Sequence, residues 1–344
     1  MQLFSAIIAL VFPILCFSQR ANIADKYIHK QIVKKKDTIN YHIYSKRELS
    51  DQKKILLFIH GSGGHPMYSE VVVYDTIQVM EDGEPKDEVR KQIYMGSSVP
   101  VSLKEIPEDC ALIVIDKKGV PFMSTDEHYV PSQAFIESES LDYRVWQGDK
   151  VLNDVIKKHI KNPSHVMIVG HSEGSDVVAK LGHVNKKVTH VGFFAGGGNT
   201  QYYDFALFIQ KEVQQGNMTQ EEAVLHLDSL FTDLKNIESD PRSTSKQWYG
   251  HAYRRWSGFN EPPIDNLLKI DKPLFVAVAG KDRSVPVESS LLIPVEFIRH
   301  GKDNLTYRLY PTYDHSFSIP PQNEQERRDR KFMSVFNEFM KWAE

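Results

Sequence analysis

His165-Val166-Met167-Ile168-Val169-Gly170-His171-Ser172-Glu173-Gly174 is the stretch on which the fold of this chain turns. Its first five residues are nearly all apolar, as in a short strand buried on both faces. Gly170-His171-Ser172-Glu173-Gly174 then fits the pattern G-x-S-x-G, and the segment from Ser175 to Leu181 reads as helix, so Ser172 is predicted at a sharp strand-to-helix turn. The chemistry explains the pattern. A serine hydroxyl is a weak nucleophile and needs both exposure and a base. A tight turn lifts the hydroxyl clear of the sheet, and glycine on either side lets strand and helix approach where a side chain would clash. The start of the helix also supplies N–H groups near developing negative charge. Ser172 is therefore the candidate nucleophile, and the flanking strand and helix weigh against a merely structural turn serine.

Its partners are expected downstream. Leu274–Ala279 reads as a strand and runs into Gly280-Lys281-Asp282-Arg283-Ser284-Val285-Pro286. Asp282 thus falls at the C-terminal end of a strand, the edge where open α/β sheets build their sites. Leu305–Tyr310 is the last strand, followed by Pro311-Thr312-Tyr313-Asp314-His315. The order Ser172, Asp282, His315 suits a nucleophile, an orienting acid and a base. Asp314 is a rival acid by adjacency, but neighbours in sequence cannot easily orient each other's rings, and Asp282 is preferred. A fourth element, His60-Gly61-Ser62-Gly63-Gly64, is a glycine-rich turn after the early strand Ile55–His60. It could aim a backbone N–H at the site, with Ser62 and Glu173 as the two expected oxyanion donors. The alternative of a phosphate loop lacks the following Gly-Lys-Ser/Thr. The Glu173 side chain either holds a substrate's amino group or pairs with a nearby Arg or Lys; pairing is preferred.

Together these four elements resemble the α/β-hydrolase superfamily, from about Ile55 to the C-terminus, and Ile115-Asp116-Lys117-Lys118-Gly119 looks like the turn after that family's fourth strand. The resemblance implies a mostly parallel eight-stranded sheet covered by helices and a Ser-His-Asp mechanism without a cofactor. It does not imply a substrate, because esterases, lipases, peptidases, thioesterases and acyltransferases share these parts.

The rest of the chain agrees with an α/β class. Apolar strands at Ala111–Asp116 and His190–Ala195 complete the series, and helices fall between them. Leu141, Val145, Leu152, Val155 and Ile156 mark one helix; Phe332, Val335, Phe336, Phe339 and Met340 mark a C-terminal one. Two stretches break the alternation. Tyr68 to Glu108 reads as an extra hairpin or long loop. Residues 196–266 read as a lid, with a helix opened by a capping box at Thr219 and Glu222 and an apolar stripe of Val224, Leu227, Phe231 and Leu234. Within it, Arg254, Arg255 and Trp256 are candidates for holding an acidic or aromatic substrate group, the alternative being a solvated helix face.

Leu3 to Phe17 is almost wholly apolar and ends in Cys16-Phe17-Ser18. It reads as a signal peptide over residues 1–18, cleaved before Gln19, which sends the mature chain out of the cytoplasm, secreted or periplasmic. The run is too short for an ordinary membrane span; the alternatives are an uncleaved membrane anchor and, less favoured, a lipid at Cys16. Cleavage leaves Cys110 alone, beside an apolar strand, with no internal disulfide. A formal net charge of −3 in 344 residues gives no strong field of one sign, which argues against nucleic acid as partner. The histidines lack H-e-x-x-h spacing or a cysteine pair, so no metal is expected. The sequence thus points to a serine hydrolase acting on a small-molecule ester, with a peptidase of the same fold and a catalytically inactive ligand-binding fold as rivals.

Overall fold

Eight short segments of mostly β-branched and aromatic residues assemble into one central sheet among the described residues, 23–34, 37–81, 84–321, 323 and 328–344, of a computed structural model. The expected signal peptide at 1–18 and Cys16 lie outside the described residues. The strands are β1 (Ile28–Lys34), β2 (Asp37–Tyr44), β3 (Lys54–Ile59), β4 (Cys110–Ile115), β5 (His165–His171), β6 (His190–Phe194), β7 (Leu274–Ala279) and β8 (Leu305–Tyr310). Their spatial order is β1-β2-β4-β3-β5-β6-β7-β8. The two N-terminal strands pair antiparallel, and β3 to β8 are parallel throughout. Six of these strands match the sequence reading to within a residue or two at each end. The antiparallel pair β1 and β2 lies ahead of the stretch that carried the resemblance.

The sheet is buried on both faces, as a parallel sheet must be. Ile55, Leu57, Ile113, Val166 and Ile168 pack on one side with the helix α2 (Leu141–Lys158), which follows the short α1 (Gln133–Ser138), and with α3 (Glu173–Val184), while Leu56, Phe58, Leu112, Val114, Met167 and Val169 pack on the other. The second face is closed by the C-terminal helix Phe332–Trp342, whose Phe332, Val335, Phe336, Phe339 and Met340 are all buried, as their spacing requires. Cys110 is fully buried in β4, and burial pushes its thiol up to about 12, so it behaves as an inert apolar residue.

Tyr68 to Glu108 resolves into a hairpin of two 14-residue strands, Tyr68–Glu81 and Glu84–Ser97, in a register that pairs Tyr68 with Ser97 and Glu81 with Glu84. Between β6 and β7 lie four helices among the described residues: α4 (Gln201–Gln214), α5 (Gln220–Ser239), α6 (Tyr253–Gly258) and α7 (Pro263–Leu267). The capping box forms as read, with Thr219 and Glu222 bonded reciprocally. The stripe forms in part: Leu227 and Leu234 are half-buried. Val224 and Phe231 are exposed, and the buried positions are Ala223, Leu230 and Ile237. The inward face of α5 is the row Ala223, Leu227, Leu230, Leu234 and Ile237, offset from the expected stripe, and both α4 and α6 pack against the helix. No helix among the described residues is long and apolar enough to cross a membrane.

Phe339 is fully buried between Phe194, Phe275 and Trp342. Phe339→Ala should therefore cost about 3–5 kcal/mol through lost burial and the cavity left behind. Urea unfolding of the variant checks this, and a loss under about 1 kcal/mol would mean that the C-terminal helix does not close the core.

Candidate active site

Ser172 sits between β5 and α3 in a left-handed conformation, φ 58° and ψ −130°, that side chains rarely adopt. Two close approaches impose it. A Cβ on Gly170 would collide with the backbone of Gly174 and Ser175, and one on Gly174 with the backbone of Ile59 and His60. The turn is also tied to the next strand, since the Ser172 N–H donates to the Phe194 carbonyl at 3.0 Å. The helix opens immediately, at Glu173 rather than at Ser175, because the turn itself supplies its first residues.

The three expected partners converge. The Ser172 Oγ lies 2.9 Å from His315 Nε2, and His315 Nδ1 lies 2.8 Å from Asp282 Oδ2. Asp282 is 5% exposed, and its other oxygen, Oδ1, accepts the N–H groups of Ser284 at 2.7 Å and Val285 at 2.9 Å. That leaves Oδ2 free to hold the imidazole, with Nδ1–H donating and Nε2 accepting from the serine. Asp314 is occupied elsewhere. Its Oδ1 accepts the N–H groups of Ser316 and Ser318, both at 3.0 Å, and so shapes the loop that carries His315. His171, beside the nucleophile, donates Nε2–H to the His315 carbonyl at 2.8 Å and fixes that loop from the other side. Its role was invisible in the sequence because the bond spans 144 residues.

A cavity of about 400 Å³ opens over Ser172, lined by Ser62 and Glu173 and roofed by Phe205 and Phe208 of α4 and Trp256 of α6. Phe205, Trp248, Tyr249 and Trp256 form an aromatic cluster, with Phe205 4.7 Å from Trp248 and Trp248 4.9 Å from Trp256 between ring centres. Of the three candidates on α6, Arg255 and Trp256 line the cavity and Arg254 stands outside it. Arg255 is not a solvated helix residue: it is 4% exposed, donates Nε–H to Glu173 Oε2 at 2.9 Å, and pairs with the same oxygen through Nη2. Glu173 is buried in turn and also faces Arg144 and Lys117; these cations hold its carboxyl down to about 2 against the burial that would raise it. Its side chain is thus the paired structural carboxylate rather than a free amine acceptor. Two further acids line the cavity, and burial pushes Asp176 up to about 8 and Asp204 up to about 7.

The turn that carries Ser172, the loop after β7 and the loop after β8 thus gather at one sheet edge, an architecture shared with solved structures. An esterase from Pyrococcus furiosus aligns with a TM-score of 0.52 and 13% identity, covering 92% of this chain and 90% of that one. An acylaminoacyl peptidase from Pyrococcus horikoshii gives 0.52 and 11%, covering 92% of this chain and 41% of that one. A puromycin-hydrolyzing peptidase from Mycobacterium tuberculosis gives 0.50 and 12%, covering 87% and 38%. This chain has the α/β-hydrolase fold. It spans about two-fifths of the length of the two peptidases and nearly the whole of the esterase. No protein-family model matches the chain, and no curated protein does.

Burial pushes the His171 imidazole down to about 4, and His315 beside it adds to the shift. A histidine whose folded value lies below its unfolded value, near 6.5, contributes stability that is whole above 6.5 and is lost as pH falls from 6.5 toward 4. The urea midpoint should therefore drop across that window, and His171→Gln should make the drop shallower. An unchanged slope in the variant would mean that His171 does not carry the titration.

Proposed function

We propose that the protein is a serine hydrolase that works through an acyl-enzyme, with a carboxylic ester as its substrate. The observation that carries this reading is the unbroken hydrogen-bonded series Ser172–His315–Asp282 at the floor of a cavity. In this mechanism Ser172 attacks the carbonyl carbon as His315 Nε2 takes its proton. Asp282 keeps His315 in the tautomer that accepts at Nε2 and stabilises the imidazolium. The backbone N–H groups of Ser62 and Glu173 receive the developing oxyanion. His315 then gives its proton to the leaving alcohol, and the same residue activates water to release the acid. The helical insertion at 196–266 acts as the lid, and its aromatic cluster covers the acyl or aryl part of the substrate.

The ester is favoured over the amide on two grounds. An ester has the better leaving group, so a triad without special binding cleaves it faster. The cavity of about 400 Å³ with an aromatic roof also suits a small apolar or aryl ester. A peptidase is the second reading, and one observation favours it: Asp176 and Asp204 line the cavity, and a substrate ammonium beside them would draw these burial-raised acids into their charged forms. Export from the cytoplasm is proposed on the apolar N-terminal run alone.

Ser172→Ala should abolish turnover of short-chain aryl esters and labelling by a fluorophosphonate probe. It should change stability by less than about 1 kcal/mol. Asp282→Asn should lower kcat on the order of 10⁴ near neutral pH, and Asp314→Asn far less. Equal losses from the two would break the assignment of the acid. For one acyl group, kcat/KM of the ester should exceed that of the amide by at least ~10², a preference that follows from the leaving groups. An amide cleaved as fast as the ester would move the assignment to the peptidase.

A further inference from the structure

Behind the turn that carries Ser172 lie five buried ionisable side chains from five different segments: Lys117, Glu139, Arg144, Glu173 and Arg255. Burying charge is expensive, and such a group persists only where its members are paired and hydrogen-bonded. Charge balance does not account for all five. Two carboxylates need two cations, and Lys117 with Arg255 would suffice. Lys117 Nζ donates to Glu139 at 3.0 Å, and Arg255 binds Glu173 through two nitrogens. Arg144 is the surplus cation.

Its contacts point to a task. Arg144 Nη1 donates to the Gly61 carbonyl at 3.4 Å and to Glu173 Oε1 at 3.2 Å, and Nη2 donates to the His60 carbonyl at 2.8 Å. The Gly61 carbonyl and the Ser62 N–H belong to one peptide group. No peptide bond among the described residues is cis, so the two point in opposite directions. A donor on the Gly61 oxygen therefore faces away from the Ser62 N–H, and Ser62 lines the cavity beside Ser172. A cation bonded to a carbonyl also polarises its peptide and strengthens the N–H on the far side as a donor. The same guanidinium holds the side chain of Glu173, whose own N–H is the second oxyanion donor of the mechanism above. Lys117 supports the loop further along, donating to the Gly63 carbonyl at 2.8 Å.

We propose that Arg144 is a positioning residue for the oxyanion hole: its guanidinium fork fixes and polarises the Gly61–Ser62 peptide and locks it to the helix that begins at Glu173. This rests on the hydrolase reading of Ser172 and adds a residue to it. Arg144 touches no reacting atom. Its effect falls on the transition state, where the carbonyl oxygen becomes negative, and not on the ground state.

The test compares wild type, Arg144→Gln, Arg144→Lys and Ser172→Ala with an aryl ester and with phenylboronic acid, whose serine adduct places an oxygen in the oxyanion hole. Arg144→Gln leaves two cations for two carboxylates and should melt cooperatively. Its kcat should fall by between about 10- and 10²-fold, less than the ~10²–10³ for outright loss of an oxyanion donor. KM should stay within about threefold, the pH profile should keep its acid limb, and the inhibition constant of the boronic acid should rise in parallel with the fall in kcat. Arg144→Lys keeps the charge but not the fork, and should recover stability with only part of kcat. A folded Arg144→Gln with kcat within threefold of wild type, or with the loss wholly in KM, overturns the positioning role. If Arg144→Gln does not fold, Arg144→Lys decides: wild-type kcat from a single ammonium overturns the fork. Full activity in Ser172→Ala overturns the hydrolase reading and the positioning role with it, and is told apart by the variant in which it appears.

Discussion

The left-handed backbone of Ser172 is a local cost of about 1–3 kcal/mol that only the surrounding packing can sustain. Gly170 and Gly174 meet backbone to backbone, Gly174 meets the end of β3, and the Ser172 N–H is held by β6. The turn is thus wedged between three strands at the centre of the sheet. Everything else in the site takes its place from that wedge. Because β5 lies beside β3 and β6, the glycine-rich loop after β3 stands on one flank of the serine. The loops after β7 and β8 bring Asp282 and His315 to the other. A parallel sheet puts all of these strand ends on one edge, which is why residues 110 and 143 positions away from Ser172 can meet it.

The second constraint is electrostatic and lies underneath. Glu173 is pinned by cations from three separate segments: Lys117 after β4, Arg144 on α2 and Arg255 on α6. The last of these lies on α6, so one carboxylate joins the turn that carries Ser172 to the segment that roofs the cavity. Arg255 also lies over the Trp256 ring at 4.2 Å and the Phe259 ring at 5.3 Å, which fixes its guanidinium plane against the aromatic roof. A buried charge cluster of this kind contributes little net stability, and an apolar replacement of the same shape could fold as well. What it supplies is a single arrangement of loop, turn and roof, and that is the property a preorganised site needs.

The three side chains that meet at the sheet edge were legible because each is tied to a local pattern. Ser172 announces itself by two glycines, a preceding apolar strand and a following helix, and Asp282 and His315 by the strands that end just before them. The C-terminal helix was legible from its spacing. Other features carry no local signature. In β1 only Ile32 is buried, amid two lysines, a histidine and a glutamine, so the strand lacks the continuous apolar run of its parallel neighbours. The stripe on α5 is offset because its buried face joins Leu227 and Leu234 to Ala223, Leu230 and Ile237, and an alanine carries too little apolar bulk to mark that face in the sequence. Nothing in the local sequence joins Lys117, Glu139 and Arg144, since only the tertiary fold brings them together. Arg255 reads in the sequence as a candidate for holding a substrate group, and its actual partner Glu173 lies 82 residues away.

The central claim is that a carbonyl carbon becomes covalently attached to Ser172 during turnover. Rapid acid quench of the enzyme mixed with a slowly deacylating aryl ester, followed by intact-mass and peptide mass spectrometry, tests it directly. The account predicts a mass increase equal to the acyl group, appearing within the first turnover and mapping to the peptide that contains Ser172. Turnover with no acylated species, or with the acyl group on another residue, would contradict it.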